Sequence, residues 1–155
     1  MNKKITFFII YLFLQSCGFQ PLLKNYDISN INFKKINYSG ENSIVYLLKN
    51  NLSISENPNN NGLTTDIAIS ENITDINKNT SGIVTEQELG LNVIIKVFNK
   101  NNQNILNESI LSTRRISITN NPSSDDEVKK QEKNNIIREL AQKIKFKLYL
   151  VSNKQ

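Results

Sequence analysis

The sequence predicts an α+β fold: a two-layer sandwich in which a mainly antiparallel four-stranded sheet carries two helices on one face. Three observations point there. Leu89, Leu91, Val93, Ile95 and Val97 alternate with other residues, the period of a half-buried strand. Ile44, Leu47, Leu48 and Leu52 recur at spacings of three and four, as do Ile137, Leu140, Ala141, Ile144, Leu148 and Val151; that is the period of a helix with one apolar stripe. The order is strand, helix, three strands joined by hairpin-length turns, and a long helix. Each apolar face then has one partner layer to bury it.

The elements follow in chain order. A strand is predicted near Ile28–Ile36, where Ile31, Phe33 and Ile36 alternate only partly with polar residues. Asn37–Gly40 reads as a turn, with Ser39 or Gly40 capping a helix that runs to about Ile54. Ser55–Gly62 is a loop by its Pro, Gly and clustered Asn. Leu63, Thr65, Ile67 and Ile69 open the next strand, which continues to about Ile76 and ends at the turn Asn77–Gly82. Ile83–Phe98 is the strongest strand. Its register is well specified, because a one-residue slip would turn the whole apolar set into water. Gly90, on its polar face, reads as a bulge signal. After the turn Asn99–Asn104, Ile105–Thr119 forms the last strand, with Arg114 and Arg115 on opposite faces. Ser124-Asp125-Asp126-Glu127 has the form of a capping box and opens a helix to about Leu150.

The first twenty residues are of another kind. Lys3 and Lys4 precede the apolar run Ile5–Leu14. That run is well short of the roughly 20 residues a membrane-spanning helix needs, so it reads as an export signal, residues 1–16. Leu14-Gln15-Ser16-Cys17 resembles the bacterial lipobox. The resemblance implies that lipid is attached to the Cys17 thiol and that cleavage leaves Cys17 as the new N-terminus. Cys17 is the only cysteine. An unpaired thiol in an exported chain calls for an explanation, and acylation supplies one. The competing readings are a single transmembrane anchor and an ordinary cleaved signal. Gly18, rather than Asp, after the cysteine resembles the sorting pattern that in many Gram-negative bacteria sends lipoproteins to the outer membrane, at its periplasmic face. Residues 17–27 would then be a lipidated tether and 28–152 a single folded domain.

Composition excludes several function classes. The net charge of +5 falls to roughly +3 once Lys3 and Lys4 leave with the signal. So weak an excess speaks against a dedicated nucleic-acid binder, which needs a concentrated basic face. The chain has no His and no second Cys, which removes the commonest zinc, haem and nucleophile–base constellations. Glu86 and Glu88 share a strand face and are the nearest approach to a paired-carboxylate site; they read as surface residues. No enzyme activity and no cofactor beyond the covalent lipid is expected. The abundance of Asn, Ile and Lys reads as a bias of the coding genome.

Cys17-Gly18-Phe19 followed by Pro21-Leu22-Leu23 resembles the start of the mature LptE lipoproteins of lipopolysaccharide assembly. The resemblance extends to size and element order, including the long C-terminal helix. It implies a non-catalytic plug that sits partly inside an LptD-type outer-membrane β-barrel, helps that barrel assemble, and supports lipopolysaccharide transport to the cell surface. A rival reading is a pilot or scaffold lipoprotein for another envelope machine, such as a secretin. Lipopolysaccharide phosphates call for Lys or Arg at loop ends and sheet edges. Arg114 and Arg115, then Lys96 and Lys100, are the candidates, against the plainer reading of all four as solvated charges.

Overall fold

The computed structural model describes residue 28 and residues 30–153, so the signal and the tether read at residues 1–27 lie outside the described residues. The elements are β1 (Phe33–Ser39), α1 (Asn42–Leu52), β2 (Leu63–Lys78), β3 (Val84–Phe98), β4 (Asn104–Ser117) and α2 (Pro122–Ser152). The four strands lie side by side in chain order. β2–β3 and β3–β4 are antiparallel, as their short turns require. β1–β2 is parallel, with Phe33 opposite Leu63 and Ser39 opposite Ala68. The sheet is therefore mixed. The cause is α1, which carries the chain back to the end where β1 began, so that β2 rises beside it in the same sense.

β1 starts later than predicted and runs through residues read as a turn. A register shift between Phe33 and Lys35 puts Phe33, Ile36 and Tyr38 on the inner face at spacings of three and two. That shift explains the imperfect alternation. Ile28 is buried but lies ahead of the strand. Gly40, not a side-chain cap, makes the corner: its φ is +138°, and the helix begins at Asn42 with Glu41 as N-cap. The helix ends at Ser53, whose left-handed backbone lets its N–H donate to the Lys49 carbonyl at 2.9 Å. Gly90 makes no bulge; it pairs in register with Asn72 and Thr113. The irregularities fall at Asp75–Lys78 and at Val97–Phe98.

The two hairpins share one design. Asn79 Oδ1 accepts from Ser81 N–H at 3.0 Å and Ile83 N–H at 2.9 Å. Asn99 Oδ1 accepts from Asn101 N–H at 2.9 Å and Gln103 N–H at 3.0 Å. The fourth residue of each turn, Gly82 or Asn102, has positive φ. Asn suits both roles, because its short amide mimics a backbone turn and it tolerates the left-handed region.

α2 begins at Pro122 and has 31 residues, about 46 Å. Its N-cap is Asn121, and no side chain caps it. The predicted capping box does not form, because the chain is already helical at Ser124. Instead Asp125 reaches back to Thr119, accepting from its N–H at 2.9 Å and its hydroxyl at 2.8 Å. These bonds, the backbone one first, hold the Asp125 carboxyl below its ordinary range.

A single apolar cluster joins the layers. Leu89, Leu91, Val93, Ile95 and Val97 of β3 meet Ile136, Ile137, Leu140, Ile144 and Leu148 of α2, with Ile44, Leu48 and Leu52 of α1 beside them. Each such side chain contributes about 1.5–3 kcal/mol on full burial. Both helices therefore cover one face, and the other face of the sheet is open. No described helix is long and apolar enough to cross a membrane.

Candidate functional site

The register sorts the four candidate cations. Arg114 and Arg115 lie near the end of β4, opposite Leu89 and Glu88. Arg114 is on the inner face and turns to α2. Its guanidinium donates to Glu139 at 2.6 Å and to the Thr113 carbonyl at 2.9 Å, with Glu132 at 3.9 Å. Lys143 joins Glu139 at 2.6 Å. Burial works against the Glu139 charge, but bonds from Lys143 and Arg114 outweigh it and hold that carboxyl below its ordinary range. Arg114 thus ties the edge strand to the helix. Arg115 points from the open face and is exposed, with no ion pair among the described residues.

Lys96 and Lys100 belong to the opposite end. Lys96 sits on the open face opposite Asp66 and Asn107. Lys100, in the β3–β4 turn, lines a cavity of about 570 Å³ together with Asn30, Asn32, Asn61, Gly62 and Asn99. The four cations therefore do not form one cluster. The asparagines around Lys100 carry no signal in the sequence, because loop composition alone says nothing of what surrounds what. On the inner face of β1, away from this cavity, burial and then the Glu56 charge push the Tyr38 phenol up to about 12, and the Lys49 ammonium lies 4.7 Å from its ring centre.

Glu86 and Glu88 both project from the open face, where Glu86 accepts from the Asn77 amide. Among the described residues no three His, Cys, Asp or Glu side chains group to hold a metal. The open face, polar along β2 and β3, carries exposed Ile94 and Leu111 near its middle. Cys17 lies outside the described residues.

The chain matches the model of the LptE family, described as lipopolysaccharide-assembly, over residues 29–148. It belongs to the LptE family. Solved structures agree on the fold. The rare lipoprotein B of Shewanella oneidensis superposes with a TM-score of 0.62 at 13% identity, over 77% of this chain and 97% of that one. A putative lipoprotein from Caulobacter crescentus gives 0.53 at 16%, over 77% and 92%. A minor lipoprotein from Acinetobacter baumannii gives 0.54 at 16%, over 79% and 95%. No curated protein sequence matches. Membership in the LptE family makes this a lipopolysaccharide-assembly lipoprotein of the cell envelope, from a family of assembly factors rather than enzymes.

Proposed function

We propose that this LptE-family chain is acylated at Cys17, is held at the periplasmic face of the outer membrane, and plugs an LptD-type β-barrel. In that place it helps the barrel assemble and supports delivery of lipopolysaccharide to the cell surface. The family match over residues 29–148, all but the last turn of the folded region, carries the reading. It speaks against a secretin pilot, since the matched family is one of lipopolysaccharide assembly. The physical form suits a plug. One compact core stiffens a long body, and barrel interiors are polar, as is most of the open sheet face. An acyl anchor would raise the local concentration of the domain near the barrel mouth.

Of the candidate lipopolysaccharide contacts, Arg115 is the one whose charge is unpaired at the end away from the tether. Arg114 is engaged with Glu139. Arg115→Gln should weaken lipopolysaccharide binding, while Arg114→Gln should chiefly lower thermal stability. Binding left unchanged by both would end the case for a site there. The reading as a whole is tested by detergent extraction of the outer membrane. The mature protein should carry acyl groups on Cys17 and co-purify in equal amount with one very large β-barrel. An unacylated chain, free in the periplasm with no barrel attached, would overturn it.

A further inference from the structure

Four lysines gather where β1 and β2 begin and β3 ends. Lys35 lies opposite Thr64, which lies opposite Phe98, and Lys96 is two inter-strand pairs further along, on the same face as Thr64. Lys34 precedes Lys35 in the irregular start of β1, and Lys100 is in the adjoining turn. None of the four makes an ion pair among the described residues. Of the carboxylates at this end, Glu108 is neutralised by Lys147 at 2.7 Å, which leaves Glu56 and Asp66. The opposite end has the other sign: Asp75, Glu86, Glu88, Asp125, Asp126 and Glu127 outnumber Lys78, Arg115, Lys129 and Lys130.

The cavity lies at the basic end. Its floor is the close crossing of two backbones. Leu63 N–H donates to the Asn32 carbonyl at 2.9 Å, and a Cβ on Gly62 would stand 2.1 Å from that oxygen. Amide-bearing Asn30, Asn32 and Asn61 line it beside Lys100. One ammonium and several neutral donors match a phosphodiester carrying a polar alcohol. Chain length decides what this end faces. Ten residues lie between Cys17 and Ile28, so the two Cα atoms are at most about 40 Å apart. An anchor at Cys17 therefore keeps the basic end close to the leaflet that holds it.

We propose that this pole docks on anionic phospholipid of the anchoring leaflet, with a headgroup phosphate taken into the cavity beside Lys100. The inference rests on the acylation proposed for Cys17, and its test separates the two. The acylated mature protein, carrying Asn101→Cys labelled with a fluorophore, is mixed with vesicles containing a headgroup-quencher lipid. The vesicles are pure phosphatidylcholine or phosphatidylcholine with phosphatidylglycerol. Flotation with the neutral vesicles reads the anchor alone. Quenching that appears only with phosphatidylglycerol, and fades as salt rises toward about 1 M, reads the pole. Each lysine near an anionic surface is worth roughly five-fold in such an equilibrium. Replacing Lys35, Lys96 and Lys100 by Gln together should lower the docking equilibrium constant about a hundred-fold. Lys129→Gln with Lys130→Gln should leave it unchanged, and thermal melts should show both variants folded. Equal quenching on the two vesicle types, or equal loss in the two variants, would overturn the proposal. Should the anchor fail, lysine-dependent flotation with phosphatidylglycerol vesicles still supports the pole, and its absence refutes it.

Discussion

Gly40 turns the chain from β1 into α1, and with it decides that β1 and β2 run parallel. Its φ of +138° is open to glycine and strained for any other residue. A Cβ there would lie 2.3 Å from the Ile69 carbonyl oxygen and 2.9 Å from Ile69 Cγ2. The oxygen belongs to β2, so relief means lifting the corner from the sheet. Gly40→Ala should cost about 1–3 kcal/mol for the backbone conformation and about 1–3 kcal/mol more for the collision. Against a total stability of about 5–15 kcal/mol, that is a large share. Gly82 is the control. It too has positive φ, +78°, but nothing lies within 4 Å of its would-be Cβ, so Gly82→Ala should cost only about 1–2 kcal/mol. Urea denaturation followed by far-UV circular dichroism, on chains also carrying Cys17→Ser, measures both. The midpoints should separate at constant slope. If Gly40→Ala proves no more costly than Gly82→Ala, the close approach to Ile69 is not a constraint and the reasoning fails.

Two further outcomes are expected. Thr65 is fully buried on the inner face of β2, and its hydroxyl has no hydrogen-bond partner among the described residues; Thr65→Val should therefore stabilise the fold by about 1–2 kcal/mol in the same urea titration. The Asp125 carboxyl is held below its ordinary value of 3.8, so the folded chain binds fewer protons there than the unfolded chain, and stability rises with pH. The contribution of Asp125 is complete above about pH 5 and is lost as the pH falls below about 4; the stability gap to Asp125→Asn should close over that range, and a gap that is flat with pH would contradict the Thr119 contacts.

Much of the fold was legible in the sequence because strand and helix periods leave different marks. β3 and the stripe of α2 were read with nearly their observed limits, since burial on one face forces strict spacing. The misreadings have local causes. The register shift at Phe33/Lys35 breaks the two-residue period, so the sequence predicts β1 too early and a turn where the strand still runs. Strand, helix, strand is itself a sign of parallel pairing, and the 11 residues of α1 suffice for the crossover. The capping box at Ser124 was a sound local pattern that lost to Pro122, whose fixed φ starts a helix two residues sooner. Asparagine taken for coding bias proved structural at Asn79 and Asn99, where one side-chain oxygen accepts two turn N–H groups. The candidate site was less legible. Which cations are engaged depends on contacts between residues far apart in sequence, such as Arg114 with Glu139 and Lys133 with Glu71.

Those contacts bear on where function resides. Cations facing α2 from the sheet, or the sheet from α2, are held by carboxylates: Arg114 by Glu139, Lys133 by Glu71, Lys147 by Glu108. Such pairs fix the helix against the strands and offer little to a ligand, since each charge already has an opposite within 3 Å. A carboxylate that left such a pair for solvent would leave a half-buried cation uncompensated, which is costly. Of the four candidate cations, Arg115 at one end and Lys96 and Lys100 at the other make no ion pair among the described residues. The ends keep the charge that phosphate groups would recognise.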